Sequence, residues 1–192
     1  SSICELLKVL EAEDGRTSQT DRYLWIDSIC INQDDIAEKS WQVPLMEDIY
    51  RSATHVVGWL GTQAPQISEW RGIEGVGDFA AAVGNDFFFR TWIIQEVSLA
   101  KRLIMYTPQG NCPWEHGVLG EGKATGDSLS LYGENEFGLA PSVVARASDG
   151  VRNINTLDAF RASLRENPGG LPLAEALIRS TEFKCTDARD RI

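Results

Sequence analysis

The feature that most constrains this chain is a hydrophobic period that switches back and forth over its first hundred residues. Ile3, Leu6, Leu7 and Leu10 recur at i, i+3, i+4 and i+7. That is one stripe of an amphipathic helix over residues 3–13, closed by Asp14-Gly15. A polar loop then leads into "YLWID", which predicts a strand over Tyr23–Asp27. In "AEKSWQVPLMEDIYRSA", Trp41, Leu45, Met46, Ile49 and Ala53 form a second helical stripe, with Pro44 placed to kink it. "HVVGWLG" gives a strand over His55–Leu60. Asp86 is set to cap the helix "FFFRTWIIQEVSLA", and "RLIMY" supplies a strand over Leu103–Tyr106. Helix, strand, helix, strand, helix, strand predicts an α/β fold, a parallel sheet flanked by helices. Trp25 or Trp59, or both, are then expected in the core, because such a sheet is covered on both faces.

Residues 107–150 break the pattern with Gly, Ser, Asn and Pro and predict an irregular insertion. A C-terminal helical part follows over 151–192. Thr156 is placed to cap "LDAFRASLRE", and "LPLAEALIRSTEF" forms the last helix. A length of 192 residues fits a single domain over 1–192.

The composition excludes several classes. A hydrophobic fraction of 43% supplies a globular core. A net charge of −10 and a pI near 4.7 oppose nucleic-acid binding, which needs a basic footprint. No apolar run is long enough to span a bilayer, and Ser1–Leu10 lacks the order of a signal peptide. Cys4, Cys30, Cys112 and Cys185 form no C-x-x-C pair, which fits a reducing, cytoplasmic setting without disulfides. Cys112 and His116 in "CPWEH" lack a second ligand pair, so no metal site is expected there.

The strand at Tyr23–Asp27 runs into "SICINQDD", with more polar side chains than a turn requires. In open α/β sheets, ligands bind beyond the carboxyl ends of the strands, where this loop would sit. Asn32 and Gln33 are candidates to hydrogen-bond a nucleotide, with Asp27 fixing the loop. A second reading gives Asp27, Asp34 and Asp35 to Mg²⁺, as in a receiver-like or phosphoryl-transfer domain. A third makes Asp34 or Asp35 the cap of the helix near Ile36.

Three stretches, "LWIDSICINQDD", "QVPLMEDIYRSATHVVGWLG" and "RTWIIQEVSLAKR", resemble the heterokaryon-incompatibility (HET) domain of filamentous fungi. The closing "ALIRSTEFKCTDARDRI" is similar to that family's late Asp-x-Arg-Asp motif. The resemblance covers about residues 3–106 and 171–192. It implies kinship with TIR domains of innate immunity and cell death, hence a flavodoxin-like three-layer fold. The family's opening strand, with its Ser-Tyr-x-Trp-Gly-like pattern, has no counterpart before Ser1, so the domain is expected to lack its first strand. NAD-cleaving TIR domains carry a Trp-x-x-x-Glu pattern in the helix after the third strand, and Trp92 and Glu96 stand at that spacing.

The resemblance thus implies fungal non-self recognition by a cell-death effector, with NAD as substrate rather than cofactor. Glu96 would be catalytic, and Trp92, Asp27, Asn32 and Gln33 would bind. Splitting nicotinamide from ribose passes through an oxocarbenium-like transition state with a cationic leaving group, so one carboxylate can suffice. The alternative is a non-catalytic death-signalling domain that works by self-association. Either form takes its trigger from an upstream sensor.

Overall fold

The computed structural model describes residues 2–17, 23–65, 76–114 and 138–166. The expected helix 171–183 and residues 115–137 of the expected irregular insertion lie outside them. Helix α1 (Ser2–Thr17) is followed by an extended stretch, a one-turn helix α2 (Asp27–Cys30) and the long helix α3 (Ile36–Ser52). Strand β1 (Val56–Trp59), helix α4 (Val76–Val83), a 3-10 turn (Asp86–Phe89) and helix α5 (Ile93–Leu99) come next. Strands β2 (Leu103–Thr107) and β3 (Gly110–Pro113) precede the longest helix, α6 (Pro141–Glu166).

The sheet has order β1-β2-β3. β1 and β2 run parallel with Val56 opposite Leu103, as the strand–helix–strand reading requires, while β3 returns antiparallel. Among the described residues the sheet is therefore small and mixed rather than wholly parallel.

The expected strand Tyr23–Asp27 does not form. Ile26 is extended, but its carbonyl accepts from the N–H groups of Ile29 (2.9 Å) and Cys30 (2.8 Å), turning the chain into α2. Asp27 Oδ1 accepts the Ser28 N–H at 2.7 Å, which favours that turn over a ladder. Tyr23 is 98% exposed, which no central strand would allow.

Neither tryptophan is a fully buried core residue. Trp25 is half-buried against the core, and half-buried Trp59 donates its Nε1–H to Ser2 Oγ at 2.7 Å. The stripe on α3 is also rotated. Met46 and Tyr50 are buried, whereas Trp41 and Leu45 face solvent. Asn85, not Asp86, caps the segment before α5. Its Oδ1 accepts from the Phe87 N–H, and its Nδ2 donates to Leu60 O at 2.8 Å.

Helix α6 begins at Pro141, inside the stretch expected to be irregular, and runs through Thr156, whose hydroxyl donates to Arg152 O. Its composition hides it, since Ser, Asn, Asp and Gly are poor helix formers. Packing overrides propensity: Ala147, Val151, Ile154, Leu157 and Phe160 are buried on one face. Asn153 Nδ2 donates to Phe88 O at 3.0 Å on the same face.

Gly150 is where α6 meets the end of α4. A Cβ there would lie 1.9 Å from Val83 O and 2.7 Å from Val83 C, and backbone cannot swing away. Alanine would gain about 1 kcal/mol of helix propensity. The clash belongs at the upper end of overpacking costs, roughly 3 kcal/mol or more. The clash wins, and Gly150→Ala should lower the melting temperature by about 4–8 °C. A thermal melt at or above wild type would refute the close contact.

Candidate functional site

The loop from Asp27 to Asp35 is knitted from its own side chains. Gln33 Nε2 donates to Asp27 O at 3.0 Å and Ile31 O at 3.2 Å, clamping the single turn of α2. Asn32 Oδ1 accepts from the Asp34 N–H at 3.1 Å, an Asx turn. Asp35 Oδ1 accepts from the Glu38 N–H at 3.0 Å and so caps α3. Glu38 reaches back to the Asn32 N–H at 3.2 Å. The polar excess of "SICINQDD" thus goes largely into holding this turn and starting α3. No group of three or more His, Cys, Asp or Glu among the described residues is placed to hold a metal ion.

Helix α5 opens at Trp92, half-buried against the core, whose carbonyl accepts from the Glu96 N–H at 3.3 Å. Glu96 stands one turn later and is partly exposed. The buried atoms Thr91 Oγ1, Gln95 Oε1 and Ser98 Oγ lie at i, i+4 and i+7 without hydrogen-bond partners. Buried polar atoms are nearly always paired, so this is an unusual stripe. It lies on a different side of α5 from Glu96, by the 3.6-residue period.

Tyr50 joins the two segments. It is 9% exposed on α3, a helix in contact with α5, and its ring meets Trp25 edge-on with centroids 6.1 Å apart. Burial pushes its phenol well above the ordinary value of 10.0. The carboxylates of Glu96 and then Asp27 push it further, and Arg90 opposes them. Two of the residues expected from sequence, Asp27 and Glu96, are therefore brought within electrostatic reach of one buried phenol. Asn32 and Gln33 turn toward the loop's own backbone, and Trp25 contacts Tyr50. Tyr50 and Arg90 were missed by sequence reasoning. The signal for Tyr50 was its i+4 spacing from Met46.

The raised phenol pKa has a consequence for stability. Below about pH 10 the folded and unfolded states both hold the neutral phenol, and the stabilisation is fully present. Above it the unfolded chain ionises while the folded one does not, so stability falls as pH rises. Tyr50→Phe should remove that part of the alkaline loss. Denaturant unfolding of both proteins between pH 8 and 11 measures it, and parallel curves would show that Tyr50 titrates normally.

Comparison with known proteins gives matches over part of the chain. Residues 4–74 match the Heterokaryon incompatibility protein (HET) family. The matched segment holds most of α1, the acidic loop, α3 and β1. Asp27, Asn32, Gln33 and Tyr50 fall within it, and Trp92 and Glu96 fall beyond it. A 64-residue stretch is 53% identical to Heterokaryon incompatibility protein 6, OR allele, of Neurospora crassa. That stretch is 33% of this chain but only 8% of the relative, so the chain spans a small part of that protein's length. No solved structure matches the chain. No helix among the described residues is long and apolar enough to cross a membrane.

Proposed function

We propose that this chain is part of a fungal incompatibility protein and serves as a cell-death effector domain in non-self recognition. The observation that carries this reading is the match of residues 4–74 to the HET family, supported by the likeness to the Neurospora crassa incompatibility protein. We further propose TIR-like kinship and, as the chemistry, cleavage of NAD to nicotinamide and ADP-ribose. The shared electrostatic influence of Glu96 and Asp27 on Tyr50 supports that chemistry. Two carboxylates within electrostatic reach of one buried phenol, opposed there by Arg90, would supply negative charge suited to developing positive charge on a ribose ring. Glu96 would stabilise the oxocarbenium-like centre, and Asp27 would hold the ribose side through the loop that Gln33 clamps. The test is incubation of the full-length protein with NAD and detection of free nicotinamide. Release that needs the intact Glu96 side chain supports the enzyme.

A second reading, death signalling by self-assembly without catalysis, draws on a different observation. Trp41 and Leu45 are exposed at 57% and 42% one turn apart on α3, and Ile29 on α2 and Ile36 at the start of α3 are exposed at 62% and 77%, large apolar side chains of the kind that association surfaces use. With a net charge of −10, association between copies should strengthen as salt screens repulsion. Sedimentation across salt and protein concentration tests it. A monomer throughout would count against assembly.

A further inference from the structure

Helix α1 is tied to the sheet by side-chain hydrogen bonds near both ends of its described side chains. Its Ser2 Oγ accepts from Trp59 Nε1 at 2.7 Å. At its other end, Glu13 Oε2 accepts from the Tyr106 hydroxyl and Glu13 Oε1 accepts from Asn111 Nδ2, each at 2.7 Å. Trp59, Tyr106 and Asn111 are register partners: Trp59 pairs with Tyr106, and Tyr106 with Asn111. All three attachments therefore fall on one cross-strand row, at the carboxyl ends of the parallel strands β1 and β2.

The dimensions agree with a helix lying across that row. At 1.5 Å per residue, the axis from Ser2 to Glu13 runs roughly 16 Å. Two strand spacings are about 10 Å. The indole of Trp59, reaching outward to Ser2, spans the rest.

Apolar packing under α1 is thin. Of its described side chains only Leu10 is buried; Ile3, Leu6 and Val9 are half-buried and Leu7 is 37% exposed. Leu10 and Tyr106 are both buried, yet neither belongs to the contiguous core that joins β1 and β2 to α3, α4, α5 and α6. Segments with few buried apolar contacts open at lower free energy than the core around them.

We propose that α1 is a lid. It lies across the Trp59–Tyr106–Asn111 row, is latched there by polar contacts rather than by the core, and opens as a unit while the sheet stays folded. Opening bares the carboxyl-end row of the parallel pair, the place where open α/β sheets take ligands. The latch is centred on Glu13, whose two carboxylate oxygens hold two different strands. The inference does not depend on the NAD chemistry, since it concerns the opening equilibrium alone.

Hydrogen exchange of the whole chain, read by mass spectrometry, tests it. In the wild-type protein the amides of residues 6–13 should exchange at least tenfold faster than those of β2, well below the denaturation threshold. Glu13→Ala should speed exchange in α1 by about tenfold for each charge-assisted bond lost and leave β1 and β2 unchanged. Trp59 emission should shift to the red in the same variant, because its indole gains solvent. Wild-type α1 amides that exchange only with the sheet, at one common rate, would overturn the proposal. So would a Glu13→Ala protein that fails to fold or that loosens β2 as much as α1, since α1 would then be part of the core.

Discussion

Replacing Arg161 with methionine should cost about 3 kcal/mol or more and lower the melting temperature by roughly 6–12 °C. Arg161 is 3% exposed on α6, and its Nη1 donates to Val97 O at 2.7 Å and Ala100 O at 2.5 Å. Nη2 reaches Lys101 O at 3.3 Å. These carbonyls belong to the last turn of α5 and the residues after it, which have no helical partner of their own. One guanidinium thus closes the end of α5 and ties it to α6.

The cation also faces the negative end of the α5 dipole, an arrangement favourable by up to about 2 kcal/mol in partly buried sites. Desolvation of the guanidinium works against these gains. Yet methionine would recover only packing and leave two buried carbonyls unsatisfied, at about 1–3 kcal/mol each. Arg161→Lys isolates the geometry, because an ammonium keeps the charge but lacks the planar fork that serves two acceptors. It should regain less than half of the loss. Thermal unfolding of both variants decides the matter: a methionine protein as stable as wild type would make the contacts incidental, and a fully restored lysine protein would reduce them to charge.

Arg161 also shows why the sequence was legible only in part. The alternation of periods placed β1, β2 and their parallel pairing, because a strand–helix–strand connection leaves little choice. It also placed α1 and the helix beginning near Ile36. It failed where long-range contacts outweigh local pattern. "LWID" is apolar enough for a strand, but Asp27 and Ser28 offer the backbone a local turn that no periodicity records. Helix α6 is written in poor helix formers, and only its burial against α4 and α5 makes the register of Val151, Ile154 and Leu157 meaningful. The buried arginine is invisible in sequence, since arginine near a helix end reads by default as a solvated charge. The candidate site was legible only in part. Asp27 and Glu96 stood out as carboxylates at a loop and a helix start. Tyr50, the phenol that both carboxylates influence, looked like one more residue of a helix.

If Glu96 stabilises an oxocarbenium-like ribose, Glu96→Gln should lower NAD turnover by about 10² to 10³, or roughly 2.7–4 kcal/mol. NAD binding should change much less, because the charge matters mainly in the transition state. Glutamine keeps the size and much of the hydrogen bonding, so the melting temperature should hardly move. A large drop in melting temperature together with lost activity would instead make Glu96 structural. Unchanged turnover would reject it as catalytic, and a wild-type protein that releases no nicotinamide, assembled or not, would leave the signalling reading in its place. The same variant has a readout that needs no activity. Glu96 is the carboxylate with the larger effect on Tyr50, so its neutralisation should lower the phenol pKa toward the ordinary value. The alkaline loss of stability assigned to Tyr50 should then shrink in Glu96→Gln, and Asp27→Asn should shrink it less. If neither variant shifts that titration, Glu96 and Asp27 do not share a site with Tyr50, and their proposed joint role falls whatever the enzyme assay shows.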